Sequence, residues 1–371
     1  MRIVLFYHSL ISDWNHGNAH FVRGIVSELL ERSHDVVVYE PLHGWSRQQL
    51  LAEAGPAAVS RFRSLFPRLQ SKAVDLDRLD LDEALDNADL VIVHEWNPHS
   101  VVSAIGRHRS AGGKYVLLFH DTHHRSVTDV PGMAAYDLDA YDGVLAFGDV
   151  IRQRYVSFGW ARRAFTWHEA ADTRIFRPLE PDGTQDDLVW IGNWGDEERT
   201  AELRSYLVGP VRALRLTATV HGVRYPSDAL AELIDAGIRY AGWLPNYEAP
   251  LAYARHRMTV HIPRRPYVQS LPGIPTIRVF EALACGVPLV SVGWNDVEGL
   301  FTPGDDYLVA DTPSRMQSHL ASLRADETLR KALAAHGLDT IRRRHTCAHR
   351  VDELLAIVRQ MCGIPQEALS A

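Results

Sequence analysis

Short apolar runs alternate with longer amphipathic stretches along the chain. Several of the runs, VLLF at 116–119 among them, contain no polar residue. A strand without polar alternation is covered on both faces, as in a parallel sheet between helical layers. In the first half such runs lie at 3–7, 35–39, 90–94, 115–120, 143–147 and 164–167. Helical periodicity at 19–32, 100–110 and 149–158 falls between them. Residues 1–175 therefore read as one doubly wound α/β domain.

The polar stretch 178–187, with Pro, Gly, Asp and Gln, reads as a linker. A second series follows, with strands expected at 188–191, 216–220, 238–240, 258–262, 288–292 and 307–309. Its helices are expected at 197–208, 227–236, 248–255, 276–285 and 313–324. Residues 176–346 thus read as a second domain of the same class. Two helices with no strand after them, 327–344 and 347–362, close the pattern. Segment 347–371 reads as a crossover helix and a tail that frays from 363 onward. The stretch 41–86 is less regular, and its 75–86 part is acidic with leucines between. The expected fold is α/β: two Rossmann-like domains facing a cleft, with ligands beyond the carboxyl ends of the strands.

Composition narrows the class. The 371 residues are 46% hydrophobic and 23% charged, which excludes disorder and coiled coil. A net charge of −7 supplies no global field for nucleic acid or an anionic membrane, so neither is expected as a partner. Cys285, Cys347 and Cys362 show no CxxC spacing, against a disulfide framework or a cysteine zinc site. The opening MRIVLFYHSLISDW is soon interrupted by His8, Ser9 and Asp13, and reads as a first strand rather than a leader. No run approaches the roughly 18 apolar residues of a membrane span. The expectation is a cytoplasmic protein; nothing in the sequence fixes its oligomeric state.

The most informative segment is LPGIPTIRVFEALACGVPLVSV, 271–292. A Gly/Pro turn (Gly273, Ile274, Pro275) leads into a helix that ends at Gly286, and a buried strand follows. Pro275 suits a helix start. Thr276 can cap the helix or meet a ligand. The free amides and partial positive charge of the helix start suit a diphosphate, and Arg278 adds a bidentate donor one turn in. Glu281 can accept from a ribose diol. An ordinary βαβ crossover with a charged helix face accounts for the same pattern.

The run PTIRVFEALACGVPLVS resembles the donor-binding segment of GT-B glycosyltransferases. It is most similar to the retaining type and the spore-maturation-protein subgroup. The resemblance implies two Rossmann-like domains, a nucleotide sugar on the second, and a last helix returning to the first. It implies that Glu281 binds the nucleotide ribose and that the Gly273–Thr276 turn surrounds the diphosphate. Many relatives carry a further glutamate where this chain has Gly273. The opening HGNAHFVRGIVSELLERSHDVVVYE resembles the family's first strand–loop–helix, with His16, Gly17 and Asn18 on the acceptor side. LVWIGNW resembles the first strand and turn of the donor domain, with Gly192 and Asn193 at its tip. The turn of Gly242, Trp243 and Leu244 matches one that borders the base. Relatives often carry a basic pair after the first donor-domain strand; here the sequence is GDEERT, and Arg199 reads as a poor substitute.

Other polar residues cluster where strands end. Arg264 and Arg265 follow the 258–262 strand and can stabilise a departing diphosphate. His120, in HDTHH, is the leading candidate to contact the donor sugar, followed by His123; loop histidines and a zinc site are the other readings of that motif. Glu95, Asp13 and His16 are candidates for a general base. The Asp-x-Asp pairs 75/77, 80/82 and 137/139 read as solvated faces rather than metal ligands. P-loop, GxSxG, HExxH and early GxGxxG motifs are absent. The sequence therefore leads to a glycosyltransferase acting on a nucleotide sugar and a glycan, lipid or small-molecule acceptor. No cofactor and no metal are expected. A GT-B-like epimerase or phosphorylase, a catalytically inactive sugar-nucleotide-binding protein and a metal hydrolase built on HDTHH are the alternatives.

Overall fold

The computed structural model describes residues 1–363; the expected fraying beyond 363 lies outside the described residues. The chain divides into two compact units. One is Met1–His168 together with the chain from Cys347 onward; the other is Glu169–Thr346.

The first unit is built on β1 (Arg2–Phe6), β2 (Asp35–Pro41), β3 (Lys72–Val74), β4 (Leu90–His94), β5 (Val116–Asp121), β6 (Gly143–Ala146) and β7 (Ala164–Thr166). They form one sheet in the order β3-β2-β1-β4-β5-β6-β7, every pair parallel. β4 and β5 are buried at every position, which explains their unbroken apolar sequence. Strand order reverses between β1 and β4, so the loops after these strands diverge and leave a crevice at their carboxyl ends. The second unit repeats the scheme with β8 (Asp186–Ile191), β9 (Ala218–His221), β10 (Ile238–Tyr240), β11 (His256–His261), β12 (Leu289–Val292) and β13 (Leu308–Ala310). Its order is β10-β9-β8-β11-β12-β13, all parallel, with the reversal between β8 and β11.

The last helix, Cys347–Met361, belongs to the first unit. Val351 and Leu354 are fully buried there, and the Trp167 indole N–H donates to Arg350 O at 2.8 Å. Among the described residues no helix is long and apolar enough to cross a membrane.

Two regions differ from the sequence reading. The 41–86 stretch contains a helix, Trp45–Leu65, kinked at Gly55 (φ 68°) before Pro56. Few of its residues are buried, so no apolar stripe announces it. The helix expected at 197–208 begins only at Thr200 and passes into a π-helical stretch, Arg204–Val208. The residues before it form a loop that becomes part of the site.

The helix Ile277–Ala284 packs on the helix Glu327–Arg344 at Gly337. A Cβ on Gly337 would lie 2.8 Å from Leu283 Cδ2 and 3.0 Å from the Asp306 carbonyl oxygen. Alanine in a helix normally gains about 0.5–1 kcal/mol over glycine. Here the sign should reverse: Gly337→Ala is expected to destabilise by about 1–3 kcal/mol through overpacking. Urea unfolding checks this, and a raised midpoint would contradict it.

Candidate functional site

The second unit gathers its charge at the strand-order reversal. Gly192 and Asn193 follow β8, Ile262 follows β11, and Arg199 spans the two. It donates to Ile262 O at 3.1 Å, Asn193 O at 2.9 Å and Asn193 Oδ1 at 2.7 Å. Its guanidinium also lies 5.1 Å from the Trp190 ring centroid. Gly195 makes this possible: its φ is +99°, and a Cβ there would stand 2.3 Å from Arg199 Cγ. Asp196 and Glu197 also adopt positive φ, so the loop folds back and brings Arg199 inward.

Arg264 reaches the same Asn193 Oδ1 at 3.2 Å, and is itself paired with Glu198 at 2.5 Å. Arg265 points elsewhere; its nearest carboxylate is Glu202 at 3.8 Å, and its side chain is 41% exposed. Lost hydration, with Arg264 and Arg278 nearby, lowers the Arg199 pKa to about 9. It remains charged at neutral pH. Among the described residues no carboxylate forms an ion pair with Arg199, and its buried Nε has no partner. Arg264 is balanced by Glu198 and Asp196 and Arg278 by Glu281, so the charge held here on neutral oxygens alone is that of Arg199, which suits the site to an anion.

Beside them stands the start of the Ile277–Ala284 helix. Thr276 occupies the N-cap but makes no side-chain cap bond. Its hydroxyl is committed to His261 instead, by a traceable chain. Ser291 Oγ donates to Val292 O at 2.8 Å, so it accepts from His261 Nδ1 at 2.9 Å. Burial keeps His261 neutral, its pKa lowered to about 3, so Nε2 carries no proton and accepts from Thr276 Oγ1 at 3.0 Å. The helix-start amides stay uncapped, and Thr276 offers only lone pairs outward.

Glu281 lies in the interior. It accepts from Asn246 Nδ2 at 2.9 Å and pairs with Arg278. Asn246 follows the turn of Gly242, Trp243 and Leu244, where Gly242 O accepts from Gly222 N at 2.8 Å. Gly273 has φ +90°, and a Cβ there would lie 3.0 Å from Glu298 Oε1. The following loop thus brings Glu298 beside this glycine. Ile274 and Pro275 are buried and fix the turn.

The first unit gathers imidazoles at its own reversal. His16 and Asn18 are buried in the loop after β1, with Gly17 between them. Asp13 pairs with Arg23 at 2.8 Å. The rings of His8 and His16 are 5.0 Å apart, those of His16 and His94 6.5 Å, and those of His94 and His120 5.6 Å. His120 lies within β5, fully buried, with Nδ1 2.5 Å from Tyr7 Oη. His123 is half-buried one turn later, its ring 5.3 Å from Trp96. Glu95 is fully buried, and its Oε1 accepts from Thr122 N at 2.9 Å. Burial and the neighbouring Asp121 carboxyl hold its pKa well above the usual value, and its bond from Thr122 N anchors the turn after β5. Among the described residues no three His, Cys, Asp or Glu side chains converge as a metal site.

Sequence reasoning missed two of these residues. Arg199 depends on a left-handed loop that local pattern does not announce. His261, inside an apolar strand, carries its signal only in the company of Ser291 and Thr276.

With this geometry established, similarity to known proteins becomes informative. A family model described as "Glycosyl transferase-like" matches residues 199–356. The O-antigen chain mannosyltransferase B of Escherichia coli is 29% identical over 156 residues, 38% of this chain. That stretch spans 39% of the relative's length. Among solved structures, Anabaena HepE in complex with UDP and glucose aligns with a TM-score of 0.69 at 11% identity, covering 96% of this chain and 99% of that one. Sucrose-phosphate synthase from Thermosynechococcus elongatus aligns at 0.64 and 12%, covering 98% and 100%. A glycosyltransferase from Rickettsia africae aligns at 0.67 and 9%, covering 97% and 98%. The fold is therefore GT-B: two parallel-sheet, Rossmann-like α/β units, with the last helix returned to the first.

The imidazole cluster sets an acid limit on stability. Burial lowers the pKa of His8 to about 4 and of His120 to about 3, and holds His16 and His94 well below 6.5. Each binds its proton more readily in the unfolded chain, so its contribution is complete above about pH 6.5 and is lost as pH falls. The raised pKa of Glu95 has the opposite sign, but the histidines outnumber it. Stability is expected to fall steeply from pH 6.5 to 4.5, by up to about 1.4 kcal/mol per pH unit per histidine, and thermal midpoints should fall with it. His94→Gln should flatten that slope; a level profile in the native protein would contradict the assignment.

Proposed function

We propose that this chain is a glycosyltransferase. It moves a hexose from a nucleoside-diphosphate sugar to a hydroxyl of a glycan, lipid or small-molecule acceptor, with retention of configuration and without a metal ion. The observation that carries this reading is the convergence of Arg199 and Arg264 on Asn193, beside an uncapped helix start. A diphosphate there receives the first-turn amides and supplies the counter-charge that Arg199 lacks.

During transfer the bond between the anomeric carbon and the diphosphate oxygen breaks. Negative charge grows on the leaving group, where Arg199, Arg264 and Arg278 are already fixed. The acceptor oxygen bonds the anomeric carbon as its hydroxyl proton passes to the departing diphosphate oxygen. Thr276, its own proton committed to His261, accepts from a donor hydroxyl. Glu281 holds Arg278 and Asn246 in place and offers its remaining lone pairs to the ribose. Gly242, Trp243 and Leu244 border the base, and His123, above the buried His120, contacts the transferred sugar. The UDP and glucose bound by HepE and the mannosyltransferase activity of the Escherichia coli relative support a hexose donor. Retention, and kinship with the spore-maturation-protein subgroup, rest on the 275–291 resemblance.

Calorimetry with UDP, GDP, ADP and TDP tests the donor site. Arg264→Ala and Arg278→Ala should each weaken the nucleotide that binds by about tenfold or more, as for loss of a charge-assisted hydrogen bond. His120→Asn should lower turnover more than nucleotide affinity. Unchanged affinity in both arginine variants would sink the assignment.

A further inference from the structure

The transferase reading leaves the acceptor's chemistry open, and the first unit narrows it. Trp96 lies two residues after β4, and its indole is 43% exposed although most tryptophans of the chain are enclosed. It is not a loosely hung side chain. Asn97 pins the turn, donating to Phe6 O at 2.9 Å and His94 O at 2.8 Å. The Arg125 guanidinium supports the ring at 5.2 Å from its centroid. Arg125 is itself fixed by Asp129 at 2.9 Å and Tyr136 Oη at 3.1 Å. The imidazoles of His123, at 5.3 Å, and His8, at 6.3 Å, flank the indole. Behind His8 lies His16, 7% exposed, whose Nε2 has no hydrogen-bond partner.

The charges around this ring are accounted for. Arg125 is balanced by Asp129 and lies 3.8 Å from Glu95 Oε2, and His8 and His16 are kept neutral by burial. What remains is a rigid aromatic face edged by uncharged groups that both donate and accept hydrogen bonds. Among the described residues a phosphate or carboxylate finds no free cation here, and an alkyl chain has no use for imidazoles. A pyranose ring matches both features, because its C–H face is apolar and its rim is hydroxyl.

We propose that Trp96, with His8 and His16, forms a saccharide subsite that takes one pyranose ring of the acceptor, stacked on the indole. The proposal rests on the transferase reading for its role, while the binding itself can be measured separately.

Saturation-transfer NMR on the full chain tests it, with the methyl glycosides of mannose, glucose and galactose and with octyl glucoside as probes. At least one methyl glycoside should receive saturation at its ring protons. That signal should fall at least fivefold in Trp96→Ala and Trp96→Leu and recover in Trp96→Phe. Melting midpoints identify any variant that fails to fold, and the Leu and Phe pair keeps the comparison if Ala does. Affinity for whichever of UDP, GDP, ADP and TDP binds should stay within twofold in all three. No ring-proton signal in the native protein, saturation confined to the octyl chain, or an undiminished signal in Trp96→Leu would each overturn the proposal. Absence of binding of all four of UDP, GDP, ADP and TDP to the native protein would instead overturn the donor reading and leave the saccharide result standing.

Discussion

A guanidinium group withdrawn from water needs acceptors for its N–H bonds and a counter-charge for its cation, and these are separate requirements. Arg199 meets the first with two backbone carbonyls and the Asn193 carboxamide. The second is left unmet within the second unit: the nearby acids Asp196 and Glu198 are paired with Arg264. That imbalance explains the surrounding features together. Gly195 opens space for the side chain, Trp190 lies against it, and the ends of β8 and β11 supply neutral oxygens. Each keeps the charge in place without neutralising it, which is the condition for holding an anion that must also depart.

The His261 chain obeys the same logic. A threonine at an N-cap ordinarily uses its oxygen on the helix amides. Here the Ser291–His261–Thr276 chain takes the hydroxyl proton and turns the side chain from capping, so the amides stay available. The cost is one lost cap, about 1 kcal/mol, carried by a helix whose Val279 and Phe280 are fully buried.

How much of this was legible beforehand follows from where the information lies. Strands buried on both faces announce themselves by composition, and the reading at 90–94 matches β4 residue for residue. The same property hides side-chain direction. With no polar alternation, nothing in VLLFHD shows that His120 turns into the interior while His123 reaches toward Trp96. Glu95 follows the same rule: a strand-end carboxylate reads as a general base until its acceptor bond to Thr122 N appears. Arg199 was dismissed because GDEERT looks like a charged surface turn. Its inward course depends on positive φ at Gly195, Asp196 and Glu197, a tertiary choice that three local residues do not dictate. The 271–292 segment was legible because its Gly/Pro turn, helix and strand are determined locally.

The two units use one topology for opposite chemistries. Both reverse strand order beside their first strand, so both leave an open edge there. In the second unit that edge carries guanidinium groups and free amides; in the first it carries neutral imidazoles and an indole. Burial enforces the difference. Desolvation suppresses the imidazolium form, whereas a guanidinium keeps its proton even when enclosed. The choice of histidine on one edge and arginine on the other therefore decides which can hold a charged group and which an uncharged one, with no change in backbone plan. The division between an edge suited to an anion and one suited to an uncharged group is thus written in side chains alone.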